Sequence, residues 1–161
     1  MTGVLSLGSN LGDREAHLRA AVDYLSRQFP VRAMSPLYET DPVTAPGARP
    51  QPAYLNAVLV VDLAGATPAD LLAAAHEAEE MRGRLRGERW GPRTLDVDVV
   101  AVDALTSSDP RLTLPHPRAH ERAFVLVPWS DVDPDAVVPG RGPVWSLLRS
   151  LDRSGVRRWR P

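Results

Sequence analysis

The sequence predicts an α+β fold: a ferredoxin-like βαββαβ core with additional elements, helices covering a mainly antiparallel sheet. Three observations carry this. Apolar residues recur at helical spacing in two segments and at strand spacing in four others. Helix-start and helix-stop residues bound the helical segments. The order is strand, helix, strand, strand, helix, strand, which is the order of a split βαβ pair.

Residues 3–8 (GVLSLG) read as a short buried strand, followed by a turn at Ser9-Asn10-Leu11-Gly12-Asp13 with helix-start chemistry. Leu18, Ala21, Val22, Leu25 and Phe29 then mark an amphipathic helix over about 13–29, stopped by Pro30. Residues 31–40 read as a strand. Residues 41–52 hold Pro42, Pro46, Pro50 and Pro52 with Gly47, so this is a long loop, of a kind compact domains rarely keep without a use. A strong strand follows at 54–63. Thr67-Pro68-Ala69-Asp70 is a helix start, with Thr as N-cap and Pro in the first position, and the helix runs to about 83. Residues 82–93 are a polar loop with five arginines, and 94–102 are a strand. Beyond it the pattern suggests a Pro-rich turn at 115–117, a short helix near 119–127 and another near 144–151. The whole chain, 1–161, is expected to form one domain.

Composition limits the functions open to it. The formal net charge of −1 gives no overall pull toward nucleic acid or membrane. No apolar run reaches the length of a membrane span, and the first residues lack signal-peptide character, so the cytoplasm is the expected location. Cysteine is absent, which excludes thiol nucleophiles, disulfides and thiolate metal sites. Every basic residue is arginine. Schiff-base and P-loop lysines are therefore excluded, and bound phosphates must be held by guanidinium groups. For the same reason the Gly8–Gly12 turn is not a phosphate loop.

The sharpest chemical signal is Thr94-Leu95-Asp96-Val97-Asp98-Val99. Alternation places Leu95, Val97 and Val99 on one strand face and both aspartates on the other. Paired carboxylates there fit either a hard divalent cation such as Mg²⁺, shared with substrate phosphates, or a solvent-facing strand edge. Arg82, Arg84, Arg86, Arg89 and Arg93 lie just upstream with Trp90, whose ring suits either stacking on a flat ligand or anchoring the loop. Carboxylates for metal and arginines for phosphate form the toolkit of phosphoryl transfer. A third cluster is Leu114-Pro115-His116-Pro117-Arg118-Ala119-His120-Glu121-Arg122-Ala123-Phe124, in which two prolines fix the direction of the chain at His116.

Together these clusters resemble the 6-hydroxymethyl-7,8-dihydropterin pyrophosphokinase family. The likeness lies in GSNLGD at 8–13, SPLYETDPV at 35–43, QPAYLNAV at 51–58, ERWGPRTLDVDVV at 88–100 and LPHPRAHERAF at 114–124. It implies an α/β sandwich with a ferredoxin-like core. It also implies pyrophosphate transfer from ATP to the hydroxymethyl group of 6-hydroxymethyl-7,8-dihydropterin, with AMP leaving, in folate biosynthesis. Carried over, Asp96 and Asp98 hold two Mg²⁺ ions and count with Arg84 and Arg93 as catalytic. Thr40, Val43, Tyr54, Asn56, Trp90 and Phe124 fall at pterin-binding positions. His76, Glu79, Arg84, Trp90, Arg93, Val99, Arg111, Thr113, His116 and Arg122 fall at ATP-binding positions. The implied partners are these two small substrates, without nucleic acid or membrane, and a monomeric state. Asp41 stands where proline is familiar, and His76 and His120 where glutamine and lysine are.

Overall fold

A computed structural model describes residues 1–43, 46–82 and 94–161. Strand β1 (Thr2–Ser9) runs through the middle of the sheet, buried on both faces from Gly3 onward. Helix α1 (Arg14–Ser26) begins where the Asp13 carboxylate accepts from the Ala16 amide at 3.1 Å, satisfying a donor that the first turn cannot. It buries Leu18, Ala21 and Leu25, one stripe at three- and four-residue spacing.

The segment expected as one strand over 31–40 is two: β2 (Val31–Met34) and β3 (Tyr38–Thr40). Pro36, without an N–H, interrupts it. At the break Ser35 replaces the ladder: its amide donates to the Val58 carbonyl at 2.9 Å, and its hydroxyl accepts from the Val58 amide at 2.9 Å. Both β2 and β3 pair with β4 (Tyr54–Asp62). Helix α2 (Pro68–Met81) starts on a complete capping box, Thr67 and Asp70 each accepting from the other's backbone. Strand β5 (Asp96–Val102) closes the core at one sheet edge.

The sheet order is β5-β1-β4-β3-β8 with β2 also on β4, and every pairing is antiparallel. That is the predicted α+β arrangement. Helices α1 and α2 cover one face, burying Leu5, Leu7, Leu55, Leu59, Val97 and Val99 beneath them. The other face is covered in part by α3 (Ala123–Val132) and α4 (Val144–Leu148), over Val4, Val58, Val100 and Ala101. The bulge between Val4 and Leu5 sets two residues of β5, Val99 and Val100, against one step of β1.

The C-terminal third departs most from expectation. The helix near 119–127 is a 3-10 turn (Ala119–Glu121) followed by α3, which runs on to Val132. A small hairpin, β6 (Val137–Val138) and β7 (Gly142–Pro143), precedes the short α4. Strand β8 (Val156–Arg158) then joins the main sheet beside β3. It has only three residues, with Arg157 and Arg158 exposed, so no apolar alternation announces it.

Replacing Thr67 by Ala removes half of the capping box and is expected to cost about 1 kcal/mol. A thermal melt should then show a midpoint lower by roughly 2–4 °C. An unchanged midpoint would show that the box contributes nothing to α2.

Candidate active site

Strand alternation and register assemble the site. On the sheet face away from α1 and α2, Asp96, Gly8, Asn56 and Tyr38 lie side by side across four strands. The adjoining row is Asp98, Ser6 and Val58. One end of this face is apolar and lies under α3 and α4; the other end is polar and opens into a cavity of about 620 Å³. That volume lies within the range of small-molecule sites. Asp96 and Asp98 are half-buried on its wall, two residues and so about 7 Å apart along the strand.

Tyr54 and Asn56 of β4 and Thr40 of β3 form a second part of the wall. Asn56 is 4 % exposed. Its Oδ1 accepts from the Thr40 hydroxyl at 2.5 Å and its Nδ2 donates to the Leu7 carbonyl at 3.3 Å. These bonds fix the plane of the amide, which has one more hydrogen and one more lone pair to offer. Gly8 makes room for it: a Cβ at that position would lie 2.7 Å from Asn56 Nδ2.

The third part comes from the 116–124 segment. The His116 amide donates to the Val100 carbonyl at 2.8 Å, tying the segment to β5. The Arg118 amide donates to His116 Nδ1 at 3.1 Å, which leaves Nε2–H as the ring's donor in its neutral form. Burial holds the His116 pKa below its ordinary value; the Asp98 carboxylate opposes this, and the Arg122 and Arg118 cations reinforce it. Arg122 is likewise lowered by burial, with Asp98 and Asp96 among the charges that favour its cation. Its guanidinium lies 5.5 Å from the centroid of the Phe124 ring, a cation–π contact. Half-buried acids, a half-buried cation and a neutral imidazole thus meet at one wall.

A model of the 7,8-dihydro-6-hydroxymethylpterin-pyrophosphokinase (HPPK) family matches residues 4–134. The chain belongs to this family. Proteins named 2-amino-4-hydroxy-6-hydroxymethyldihydropteridine pyrophosphokinase resemble it along nearly its whole length. That of Mycobacterium tuberculosis H37Rv is 48% identical, over 98% of this chain and 89% of the relative. Those of Methylorubrum extorquens and Bacillus subtilis are 43% and 35% identical, over 96% and 97% of this chain and 96% and 89% of theirs. Among solved structures, a Plasmodium falciparum HPPK-DHPS triple mutant aligns with a TM-score of 0.73 at 15% identity. The alignment takes in 92% of this chain and 44% of that one, and the likeness is one of fold.

Of the residues placed by the resemblance to this family, Thr40, Val43, Tyr54, Asn56, Asp96, Asp98, His116, Arg122 and Phe124 all line the cavity. Arg84, Trp90 and Arg93 lie outside the described residues. Five others stand off the wall. His76 is exposed on α2, and Val99 is buried beneath the helices. Glu79 is buried, and its Oε1 accepts from the amide of Val97, between the two aspartates, at 2.9 Å, so it braces β5. Arg111 is held by Asp109 through Nε at 3.3 Å and Nη2 at 3.1 Å, and the Thr113 hydroxyl donates to the Asp109 carbonyl at 3.1 Å. Sequence reasoning missed Asp41 as a wall residue, and also Asp152, Ser154, Gly155 and Val156, which β8 and the turn before it bring to the cavity. The HPPK match ends at Pro134, so no family motif pointed to that turn.

The lowered His116 pKa fixes the sign of a pH effect. Folding disfavours the imidazolium, so this stabilisation is complete above the ordinary value of 6.5 and is lost as pH falls through the lower folded value. His17, lowered by burial and by Arg82 against the opposing Asp13, acts in the same direction. Urea unfolding of the metal-free protein from pH 7.5 to about 5 should show falling stability, and the fall should be shallower in His116→Gln. Equal slopes in the two proteins would contradict burial of a neutral imidazole.

Proposed function

We propose that the cavity binds ATP and 6-hydroxymethyl-7,8-dihydropterin together and transfers pyrophosphate from the first to the second. The observation that carries this is the division of one wall. The Asp96–Asp98 pair with His116 and Arg122 supplies metal and phosphate chemistry, and Tyr54, Asn56, Thr40 and Phe124 supply a flat-ring pocket beside it.

The donor set fits magnesium. Two carboxylates on one wall of the cavity are hard oxygen ligands of the kind that hold Mg²⁺ when substrate phosphates complete its coordination. Asp96 and Asp98 would hold it, and two ions are proposed. Bound there, Mg²⁺ neutralises phosphate charge and makes the attacked phosphorus more electrophilic.

The chain's own residues do the rest by positioning. Asn56 offers its remaining donor and acceptor to the pterin edge, with Thr40 holding the amide in plane and Val43 beside it. Tyr54 and Phe124 flank the ring, and Trp90 is proposed as a further ring contact. Arg122 and the His116 Nε2–H hold phosphate oxygens, with Arg84 and Arg93 proposed to join them. The adenosine half would extend toward Arg111 and Thr113, on the turn before His116, and toward His76, Glu79 and Val99 around β5. The pterin hydroxymethyl oxygen then attacks the β-phosphorus, the bond from that phosphorus to the α,β-bridging oxygen breaks, AMP leaves, and the hydroxyl proton is released. A monomer is proposed as the working unit. No described helix is long and apolar enough to cross a membrane, and the cytoplasm is the proposed location.

Incubation with ATP, Mg²⁺ and the dihydropterin should give AMP and the pterin diphosphate by ³¹P NMR. ADP with a monophosphorylated pterin would overturn the assignment. Asp98→Ala should lose more than about 100-fold in turnover, while its metal-free melting point stays level or rises because like charges on one strand face are relieved. Near wild-type turnover in that variant would remove the metal role. Asn56→Ala should weaken pterin binding far more than ATP binding by calorimetry, since the pocket loses the partner of the ring's polar edge; equal losses would place the pterin elsewhere.

A further inference from the structure

The turn at Ser9–Asp13 has no part in the chemistry above, yet the fold fastens it to the connection 41–53 that follows β3. Asn10, 2 % exposed, donates from Nδ2 to Gln51 Oε1 and to the Pro52 carbonyl, both at 3.2 Å. Both hydrogens of a buried amide are therefore committed to the far end of the connection. Helix α1 does not use this side chain, because Asp13 caps it. Arg14, the first residue of α1, donates from Nη1 to the Ala53 carbonyl at 2.9 Å and to Glu39 Oε2 at 3.0 Å. One guanidinium thus ties β3 to the residue before β4.

The near end of the connection is held from the other side. Arg157 bonds Asp41 at 3.0 Å and Glu39 at 3.4 Å, and the Asp41 amide donates to the Gly155 carbonyl at 2.9 Å. Immediately inside these fastenings stand Thr40, Tyr54 and Asn56. Neither Asn10 nor Arg14 lines the cavity.

We infer that Asn10 and Arg14 are positioning residues that set the pterin pocket, acting as a clasp on the backbone that carries Tyr54 and Asn56. The inference rests on the reading that the pterin binds at that wall. The four bonds described here all run to β3 and to the approach to β4, and none to the aspartate wall on β5, so the clasp should bear on one substrate and not on the other.

The test measures two affinities separately. 6-Hydroxymethylpterin is titrated by fluorescence with Mg²⁺ and α,β-methylene-ATP present, and α,β-methylene-ATP is titrated with Mg²⁺ alone. Asn10→Asp keeps the shape but removes both donors; Arg14→Met removes the guanidinium, and Arg14→Lys restores a donor. Asn10→Asp and Arg14→Met are each expected to raise the pterin Kd about tenfold, the worth of one or two hydrogen bonds. The nucleotide Kd should stay within about twofold, and Arg14→Lys should recover part of the pterin affinity. If Asn10→Asp does not fold, Gln51→Ala removes one of the same bonds and is read in the same way. Parallel loss of both affinities, or no change in either, overturns the clasp. Wild-type protein that binds nucleotide but no pterin overturns the functional reading itself.

Discussion

Two carboxylates on one strand face repel each other, and a sheet tolerates them only where that face is not sealed by apolar packing. The second face of this sheet is organised around the constraint. At one end Val4, Val58, Val100 and Ala101 lie beneath α3 and α4; at the other, Ser6, Gly8, Asn56, Asp96 and Asp98 meet the cavity. Because strand side chains have period two, a one-residue slip of β5 against β1 would drive both aspartates into the layer beneath α1 and α2. The pairing of Gly8 with Asp96 and of Ser6 with Asp98 therefore determines site and core at once.

The same constraint explains the charges nearby. The chain as a whole is nearly neutral, with a formal net charge of −1, so a polyanionic substrate must be met locally. Arg122 is half-buried among the aspartates and Arg118 borders the same wall, while His116 is kept neutral by burial. A neutral imidazole donates a hydrogen bond without adding to the cation density that Asp96 and Asp98 already balance. The Arg122 guanidinium also rests against Phe124, so one side chain joins the part of the wall that carries the aspartates to the part that carries the aromatic ring.

Much of this was legible in the residues. The alternation Leu95-Asp96-Val97-Asp98-Val99 specified both faces of β5, and Thr67-Pro68 with Asp70 marked the start of α2 to the residue. Three things were hidden, each for a physical reason. Pro36 interrupts the ladder between β2 and β3, but Ser35 standing in for the lost ladder bond to Val58 is a long-range contact that no local pattern encodes. Strand β8 is too short for periodicity, and its place beside β3 rests on a tertiary backbone ladder, with Arg157 reaching Glu39 and Asp41 across it. The bond from the Val97 amide to the buried Glu79 carboxylate, which ties α2 to β5, is also long-range; sequence position alone does not tell which way a helix turns such a residue.

Asp41 shows how a departure from the expected pattern is absorbed. A proline there would have no amide to donate to Gly155 and no carboxylate for Arg157. With aspartate, the near end of the 41–53 connection gains a backbone bond and an ion pair to β8. Gly155 lies close against it: a Cβ there would come within 3.0 Å of Asp41 Oδ2. The exposed ion pair by itself is worth little. Its effect is geometric, because β8 and the turn before it supply Asp152, Ser154, Gly155 and Val156 to the cavity. The C-terminal segment, beyond the reach of the family match, thereby becomes a wall of the site, and a residue that fastens it is one at which this chain leaves the familiar sequence.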